Sequence, residues 1–528
     1  MSNHAYESAA ALRPSSNGPI PISTLCERFS LAPASAEDAA ALNDLSILGV
    51  SVDSADTAPG ELFVGLPGFT VHGARFAADA VASGAVAVLT DADGAQIVHQ
   101  TAPGTPVLVH SDPRAVVGPL SAEVYHHPAR GLVTTAVTGT NGKTTTAYFL
   151  DAILSAHVGG CMVAGTVELR VGERSVESPR TTVEAPVLQR MMALAVEDKV
   201  GAASLEASSH AIVLHRLDGI VVDVAGFTNL QRDHLDFHKT MEGYLEAKAQ
   251  LFTPEHARRG VVCVDDQWGA ALAAEAPIEI DRVRAYPGET PADWWVSDAA
   301  VSLTDSATTF TLHGPDGEKI EASCPLPGLV NVQNAALALV MAIRAGVPAA
   351  TAATALAGAH NIPGRMQRIS QRDGRRGLCI VDFAHTPDAM ELALKAVRPI
   401  TPGRLIVVFG SDGDRDQGKR PMLGEVCARL ADVLVVTDEN PRSEDPQLIR
   451  NAILEGVRGV RPDLTDVEEI TTWRGDAVRR GVELCGPDDT VIVTGKGHEP
   501  FLEMAGEFIR YNDAPVMAEA VEEKWGRA

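Results

Sequence analysis

A glycine-rich loop at residues 138–147, with the sequence TGTNGKTTTA, constrains the fold of this chain more than any other segment. It follows a strand-like run, LVTTAV at residues 132–137, and precedes a helix-like run at residues 144–154. A strand, a short loop and a helix in that order point backbone N–H groups and the positive end of a helix dipole at one place. The order therefore predicts a phosphate-binding loop within an α/β fold.

The residue types in this loop suit the phosphates of a nucleotide. Gly139 and Gly142 allow the backbone to approach closely, Lys143 would reach the outer phosphates, and the Thr144 hydroxyl suits Mg²⁺. The usual pattern GxxxxGK[ST] would place glycine at position 137, where this chain has valine, so the loop is a shortened variant. The alternative interpretation is a glycine-rich strand–helix turn that binds no ligand.

Composition excludes several classes of protein. The 528 residues suggest about three or four domains. A net charge of −25 argues against a nucleic-acid partner. The sequence contains no stretch of about 18 predominantly apolar residues, so we expect no membrane partner. The first twenty residues lack the apolar core of a secretory signal. The seven cysteines form no CxxC pair, which indicates reduced thiols. We expect a cytoplasmic monomer.

The predicted elements divide the chain into a tail and three α/β domains. We expect a flexible tail at residues 1–20, a small domain at 21–112, a central domain at 113–363 and a C-terminal domain at 364–528. The central domain carries the phosphate loop on a mostly parallel sheet of the P-loop ATPase type. In the C-terminal domain strands and helices alternate over short loops, which predicts a Rossmann-like, doubly wound sheet. A β-hairpin is predicted at residues 308–313 and 319–324.

Polar residues follow two predicted strands of the central domain. Glu206 ends a buried strand, where a carboxylate could hold a nucleotide's Mg²⁺. The segment at residues 228–238, TNLQRDHLDFH, concentrates charged and histidine side chains, among them His234. This segment could also be a polar loop with a capping aspartate, but beside the phosphate loop a metal and phosphate role is favoured. Lys248 lies on the next predicted helix, where an isolated lysine is normally a solvated surface charge.

Four polar loops of the C-terminal domain each follow a predicted strand, at residues 382–388, 410–416, 438–442 and 495–499. Ligand sites on open α/β sheets form outside the carboxyl ends of the strands, so these loops predict a second ligand site. Arg415 and Arg442 could bind carboxylates, and Glu499 could bind an ammonium group. Side chains that bind a carboxylate, together with one that binds an ammonium group, suit a zwitterionic amino acid as the ligand.

The motifs TGTNGKTT, LEASSH, FTNLQRDHLDFH, NVQNAA, PGRMQ, VDFAHTPD, GDRDxGKRP and GKGHE resemble those of the Mur ligases. They occur in the family's order between about residues 50 and 513. The resemblance implies a three-domain enzyme of bacterial cell-wall synthesis. Its N-terminal domain would bind the UDP end of UDP-N-acetylmuramoyl-L-alanyl-D-glutamate, its central domain ATP, and its C-terminal domain the incoming amino acid.

The resemblance also implies roles for individual residues. The uridine part would contact Val52 and Ser54, and the muramoyl-dipeptide would contact Thr181, Thr182, Ser208 and Arg216. ATP would be bound by Gly139, Thr140, Asn141, Gly142, Lys143, Thr144 and Thr145, with Asn331, Arg365, Asp382 and His385. The amino acid would be bound by Arg415, Glu439, Asn440, Pro441, Arg442, Gly495 and Glu499. Mg²⁺ would be held by Thr144, Glu206, His234 and Lys248.

The match overturns the surface interpretation of Lys248, because the family carries there a lysine carbamylated by CO₂. The implied reaction transfers the γ-phosphoryl group of ATP to the D-glutamate γ-carboxylate, and the amine then attacks the acyl phosphate. Lys143, Glu206, His234 and Lys248 would form the catalytic set. The residues do not identify the base that deprotonates the amine.

The choice of amino acid would depend on Arg442. Family members that add meso-2,6-diaminopimelate carry DNPR here, and relatives that add lysine lack the arginine. The chain departs from the family pattern at Ala55, Arg180, Leu214 and Glu439, and at the pair Ser411 and Asp412. Lysine or another diamino acid stays an alternative acceptor. More distant alternatives are a folylpolyglutamate synthase-like ligase, a nucleotide-dependent switch or transport ATPase, and a binding protein without activity.

Overall fold

The computed structural model describes residues 11–302, 306–359 and 362–526. They belong to two compact units. The first unit extends to Trp294 and includes Ala336–Ala355, and the second comprises Trp295–Ala335 and the chain from Leu356 onward. Among the described residues, no helix is long and apolar enough to span a membrane.

The first unit opens with a small α/β sheet. The strands of this region are β1 Ile20–Pro21, β2 Ala32–Pro33, β3 Ser46–Ile47, β4 Gly49–Ser51, β5 Glu61–Val64, β6 Ala87–Thr90 and β7 Val107–Val109. Strands β1 and β3 pair with each other in a separate two-stranded sheet. Its helices are α1 Ile22–Phe29, α2 Ala36–Leu42, α3 Ala77–Ala82, α4 Ala92–Thr101 and α5 Pro113–Val124. The sheet order is β2-β7-β6-β5-β4, in which β4 to β7 are parallel and β2 is an antiparallel edge. Loops that follow β4 to β7 therefore share one edge.

Helix α5 belongs to this first core. Its apolar residues Val117, Leu120 and Val124 pack in one buried cluster with the strands β4, β5 and β6. The core of the N-terminal domain therefore continues to Val124, beyond the predicted boundary at residue 112.

The segment before β1 corrects the predicted flexible tail. Residues 1–10 of that tail lie outside the described residues. From residue 11 the chain is packed, because Leu12 is fully buried in the core of the central sheet. Arg13 pairs with Asp56 and Glu61, and the Asn17 amide donates to two backbone carbonyls. The low apolar content of this segment favoured the prediction of a flexible tail, because the few side chains that fix it leave no periodic pattern.

The first unit continues with the sheet that carries the phosphate loop. Its strands are β8 Val133–Thr138, β9 Cys161–Ala164, β10 Glu168–Val171, β11 Arg174–Glu177, β12 Ala202–Glu206, β13 Val222–Phe227, β14 Ala257–Cys263 and β15 Glu279–Arg284. Its helices are α6 Lys143–Val158, α7 Ala185–Glu197, α8 Ser209–Val213, α9 Leu235–His238, α10 Met241–Ala249 and α11 Gln267–Glu275. The order is β11-β10-β9-β12-β8-β13-β14-β15, in which neighbours from β9 to β15 pair in parallel, whereas β10 pairs antiparallel with both β9 and β11.

The second unit begins with the strands β16 Trp294–Val301, β17 Thr308–His313 and β18 Lys319–Cys324. Strands β17 and β18 pair antiparallel from Thr308 with Cys324 to His313 with Lys319, which confirms the predicted hairpin. Two helices follow along the chain, α12 Leu329–Arg344 and α13 Ala349–Ala357. Helix α12 starts in the second unit and ends in the first.

A doubly wound sheet completes the second unit. Its strands are β19 Gln367–Ser370, β20 Leu378–Val381, β21 Leu405–Phe409, β22 Val433–Val436, β23 Val467–Glu469 and β24 Thr490–Val493, followed by a hairpin of β25 Phe501–Met504 and β26 Glu507–Arg510. Its helices are α14 Pro387–Val397, α15 Lys419–Leu430, α16 Pro446–Val460, α17 Arg474–Leu484 and α18 Asp513–Trp525. The order is β19-β20-β24-β21-β22-β23, with only β19 antiparallel within this sheet. The predicted α/β class is confirmed.

Candidate active site

The phosphate loop lies between β8 and α6, as predicted. Gly139 and Gly142 have φ angles of 143° and 89°, in a region that side chains disfavour. A Cβ at Gly139 would lie 1.9 Å from the Thr228 hydroxyl oxygen, so no other residue fits there. The Lys143 ammonium group donates to the Gly139 and Thr140 carbonyls at 3.0 and 2.9 Å. Helix α6 therefore presents its N-terminus and one cation at the loop.

Residues 228–231 hold this loop in place, a role that the sequence did not predict. The Asn229 side chain accepts from the Asn141 N–H at 3.1 Å and donates to the Asn141 carbonyl at 3.1 Å. The Thr228 hydroxyl donates to the same carbonyl at 2.6 Å, and the Gln231 side chain accepts from the Asn141 amide at 2.7 Å. The Asn229 carbonyl also accepts from the Thr140 N–H. We call Thr228, Asn229 and Gln231 the loop clamp.

Glu206 lies at the end of β12 and connects the phosphate loop to a second loop. Its carboxylate is 1% exposed and accepts from the Thr144 hydroxyl at 3.0 Å. It also accepts from the Thr166 N–H and hydroxyl, both at 2.8 Å. The Thr166 hydroxyl contacts the Thr181 hydroxyl at 3.2 Å. These four side chains form a continuous hydrogen-bonded chain, and Thr166 is a member that the sequence did not predict.

The other residues predicted to bind the dipeptide gather beside Glu206. The Thr182 hydroxyl donates to the Glu206 carbonyl at 2.7 Å and accepts from the Ser208 N–H at 3.0 Å. Arg216 donates to the Thr182 carbonyl at 3.1 Å and pairs with Glu184 at 3.0 Å. The structure therefore brings Thr181, Thr182, Ser208 and Arg216 together, next to the phosphate loop.

Lys248 is buried, which corrects the surface charge expected for an isolated helix. Its side chain is 1% exposed and donates to the Gly139 carbonyl at 2.8 Å. Its ammonium nitrogen lies 4.5 Å from the centre of the Tyr244 ring. Burial and the nearby Lys143 charge hold the pKa of Lys248 well below its usual range. The amine therefore favours its neutral, nucleophilic form.

His234 lies in an aromatic cluster, with its ring 4.9 Å from that of His210. Burial, together with the nearby Lys143 charge, lowers the pKa of His234, which favours the neutral imidazole that a metal ligand must be. No three or more His, Cys, Asp or Glu side chains converge as a metal-binding group within the part of the chain described here. The Thr144 hydroxyl and Glu206 carboxylate nevertheless suit Mg²⁺, which usually takes few protein ligands and completes its shell with phosphates and water.

Val52 and Ser54 lie in the turn that follows β4, at the carboxyl edge of the N-terminal sheet. Residues Ser54–Asp56 form one turn of 3₁₀ helix, whose N-terminal N–H of Ala55 donates to the Asp53 carboxylate at 3.0 Å. Both Val52 and Ser54 are half-buried. This location fits a ligand-contacting turn on a parallel sheet.

In the second unit the predicted polar loops meet at the carboxyl ends of β20, β21, β22 and β24. Arg442 pairs with Glu503 at 3.1 Å and lies 3.7 Å from Asp412. Glu439 is 3% exposed, and a Cβ at Gly495 would lie 2.6 Å from its carboxylate. Burial, reinforced by the Asp412 charge, raises the pKa of Glu439 to about 8.

Asn440 and Glu499 belong to the same group but are engaged within the protein. The Asn440 amide donates to Glu499 at 3.1 Å, and its oxygen accepts from the fully buried Lys496 at 2.9 Å. Lys496 also donates to Glu499 and to the Phe501 carbonyl. Lys496 was missed from the sequence, although it lies inside the GKGHE motif. Pro441 is buried and Gly495 has a φ of 108°, whereas the predicted Arg415 is exposed.

The residues predicted to reach the nucleotide from the second unit make internal contacts. Asp382 accepts from the N–H groups of Met366 and Ala384 at 2.7 and 2.9 Å. The Arg365 guanidinium lies 4.3 Å from the centre of the Phe383 ring, and the His385 Nδ1 is 2.9 Å from the Phe383 carbonyl oxygen. The Asn331 amide donates to the Pro327 carbonyl at 2.8 Å. These contacts fix the backbone of the predicted nucleotide-contacting loops.

A phosphate loop with an adjoining carboxylate, and a separate group of charged strand-end loops, define a nucleotide-dependent α/β enzyme. Three protein-family models match the chain in succession. They are described as "Mur ligase family, catalytic domain" at residues 46–125, "Mur ligase middle domain" at 137–342 and "Mur ligase, glutamate ligase domain" at 364–497. The first match ends next to the last residue of α5, and the third begins shortly before β19, the first strand of the doubly wound sheet.

Whole-length relatives agree with these matches. The UDP-N-acetylmuramoyl-L-alanyl-D-glutamate–2,6-diaminopimelate ligase of Streptomyces avermitilis is 43% identical, over 92% of this chain and 94% of its own. The UDP-N-acetylmuramyl-tripeptide synthetase of Leifsonia xyli subsp. xyli is 42% identical, over 95% of this chain and 96% of its own. A solved structure of a UDP-N-acetylmuramoyl-L-alanyl-D-glutamate–2,6-diaminopimelate ligase is 31% identical, with a TM-score of 0.63, and covers 90% of this chain and 95% of that chain. The chain belongs to the Mur ligase family.

Proposed function

We propose that this protein uses ATP to attach meso-2,6-diaminopimelate to the D-glutamate of UDP-N-acetylmuramoyl-L-alanyl-D-glutamate, as a step of peptidoglycan precursor synthesis. The observation that carries the proposal is the hydrogen-bonded chain from Thr144 through Glu206 and Thr166 to Thr181. It links the phosphate loop to the residues proposed to bind the dipeptide. A ligase that activates a carboxylate with ATP needs those two sites side by side.

The reaction divides between phosphoryl transfer and attack by the amine. The γ-phosphoryl group leaves ADP and bonds to the D-glutamate γ-carboxylate oxygen. The neutral amine of the amino acid then attacks the acyl carbon, inorganic phosphate leaves, and the amine loses a proton. Lys143 and the N-terminus of α6 neutralise the charge of the phosphates, and the loop clamp holds the phosphate loop in place. Thr182, Ser208 and Arg216 orient the dipeptide.

Mg²⁺ would be held by Thr144 and Glu206, with His234 and carbamylated Lys248 as further ligands. It would supply charge neutralisation at the phosphates. A neutral lysine amine can react with CO₂ to form a carbamate, and the lowered pKa of Lys248 favours that neutral form. Carbamylation replaces the neutral amine near the Lys143 cation with an anion, which that cation attracts.

The choice of diaminopimelate rests on Arg442. Diaminopimelate carries a second carboxylate that lysine lacks, and the Arg442 guanidinium can bind it with two hydrogen bonds. The carboxylates Asp412 and Glu503, which pair with Arg442, keep this cation positioned at the strand ends.

The test is phosphate release from ATP by the purified full-length protein, with the dipeptide substrate and diaminopimelate each present or absent. We expect release only when both are present. Release without an amino-acid acceptor would contradict the ligase proposal and favour a switch or transport ATPase. Turnover with a folate substrate in place of the UDP-linked dipeptide would instead favour a folylpolyglutamate synthase-like ligase.

A further inference from the structure

The turn at Ser54–Asp56 is held from outside its own sheet. Asp56 ends this turn and offers one carboxylate to two arginines. Its Oδ1 pairs with Arg13 at 3.3 Å, and its Oδ2 pairs with Arg190 at 2.9 Å. Arg13 also donates to the Asp56 backbone carbonyl. The turn is therefore fixed through both its side chain and its backbone.

The two arginines come from different parts of the first unit. Arg190 lies on α7, which packs on the sheet of the phosphate loop, and its side chain is 1% exposed. Arg13 lies in the segment before β1, directly after Leu12, which is fully buried in the core of that same sheet. Both cations are therefore anchored on the central domain, and both reach the N-terminal domain.

A second carboxylate completes the group. Glu61 is 3% exposed, pairs with Arg13 and accepts from the Ala58 N–H at 2.9 Å. Two carboxylates thus face two arginines in a largely buried setting, where such pairs are screened little by salt. Removing one partner of such a group leaves a buried charge uncompensated, so the geometry is strongly enforced.

We infer that Arg13 and Arg190 are positioning residues for the uridine end of the substrate. They act through Asp56 on the turn that carries Val52 and Ser54, and they tie its position to the domain that holds the phosphate loop. This inference rests on the proposed function and on the uridine contacts that the resemblance to the Mur ligases implies for Val52 and Ser54. It predicts that the arginines control the affinity for the UDP-linked substrate rather than the chemical step.

The test compares Arg13→Ala and Asp56→Asn with the control Arg28→Ala in steady-state kinetics. Arg28 is a half-exposed arginine of the N-terminal domain that pairs with Glu123 at 2.7 Å, outside the Asp56 group. We expect the KM for UDP-N-acetylmuramoyl-L-alanyl-D-glutamate to rise about tenfold in the first two variants, with kcat and the KM for ATP unchanged. The double variant should raise this KM by less than the product of the two single effects, because both substitutions break the pair between Arg13 and Asp56.

Two results would overturn the inference while leaving the proposed function intact. One is an active Arg13→Ala protein whose KM for the UDP-linked substrate matches that of Arg28→Ala. The other is an equal rise in both KM values with a lowered melting temperature, which indicates a merely structural role. Arg13→Lys keeps the charge and serves if Arg13→Ala does not fold, and it should regain part of the affinity. An inactive wild-type protein would overturn the proposed function and this inference with it.

Discussion

Lys248 shows how a single residue changes meaning between sequence and structure. Its helix position alone indicated a solvated cation, yet the side chain is buried against the Gly139 carbonyl and the Tyr244 ring. The family motifs indicate a functional role for this lysine. The physical reason, a desolvated amine beside a second lysine, requires the fold, because Lys143 lies more than one hundred positions earlier.

Replacing Lys248 with alanine should reduce ligation by about 100-fold, because a metal-binding carbamate would be lost. Added formate or acetate should restore part of the activity by occupying the vacated space. The exposed Lys395 provides a control, and Lys395→Ala should retain full activity. Activity assays with and without the added carboxylate measure both effects. An inactive, folded variant that no short carboxylate rescues would contradict carbamylation.

Arg442→Ala should relax the choice of acceptor. We expect the ratio of kcat/KM for diaminopimelate to that for L-lysine to fall by about 100-fold, because the second carboxylate would lose its cation. The exposed Arg429, which pairs with Glu425 on α15, supplies the matched control Arg429→Ala. An unchanged ratio in Arg442→Ala would show that another group reads the second carboxylate.

Glu439 should make the stability of the protein pH-dependent. Its pKa is about 8 in the folded protein and near the ordinary value for glutamate when unfolded. The folded state thus binds more protons between about pH 5 and about pH 8, so its stability falls as the pH rises through that window. Melting temperatures should fall less over this range for Glu439→Gln than for wild type. The exposed Glu455 supplies the control Glu455→Gln, and equal slopes in all three proteins would refute the assignment.

Among the structural elements, the phosphate loop was the most predictable from the sequence. The loop clamp that holds it in place was the least predictable. The strand, glycines and helix are contiguous, so one segment specifies them. The loop clamp comes from residues about ninety positions later, and its contacts depend on the adjacency of β8 and β13. The sequence predicted a metal and phosphate role for residues 228–238, but not that Thr228, Asn229 and Gln231 would hold the phosphate loop itself. Thr166 was missed for the same reason.

The loop clamp predicts that Asn229→Ala weakens ATP binding. The variant loses both side-chain hydrogen bonds to Asn141, so the phosphate loop should sample other conformations and the KM for ATP should rise about tenfold. Asn451 is an exposed asparagine on α16, and Asn451→Ala serves as the control. The KM for diaminopimelate should stay the same in both variants. A normal KM for ATP in Asn229→Ala would show that the backbone contacts alone maintain the loop.

At the scale of the whole molecule, the three-domain organisation could be predicted from the sequence, but the exact domain boundaries and the contacts that join the domains could not. Predicted strand and helix order gave the α/β class and the doubly wound sheet, because local periodicity specifies such elements. Helix α5 joins the N-terminal core through three apolar residues, and the segment from Leu12 to Asn17 joins that domain to the central sheet. A few anchoring side chains within a polar segment leave little periodic signal, so that segment resembled a free tail.

The central claim is that this protein is a ligase that adds diaminopimelate to the UDP-linked dipeptide. The most direct measurement offers meso-2,6-diaminopimelate, L-lysine and L-ornithine together, with ATP and UDP-N-acetylmuramoyl-L-alanyl-D-glutamate, and identifies the products by mass spectrometry. We predict that the diaminopimelate product dominates and that no product forms without ATP. A dominant lysine or ornithine product would contradict the role of Arg442, and the absence of every tripeptide product would contradict the ligase function.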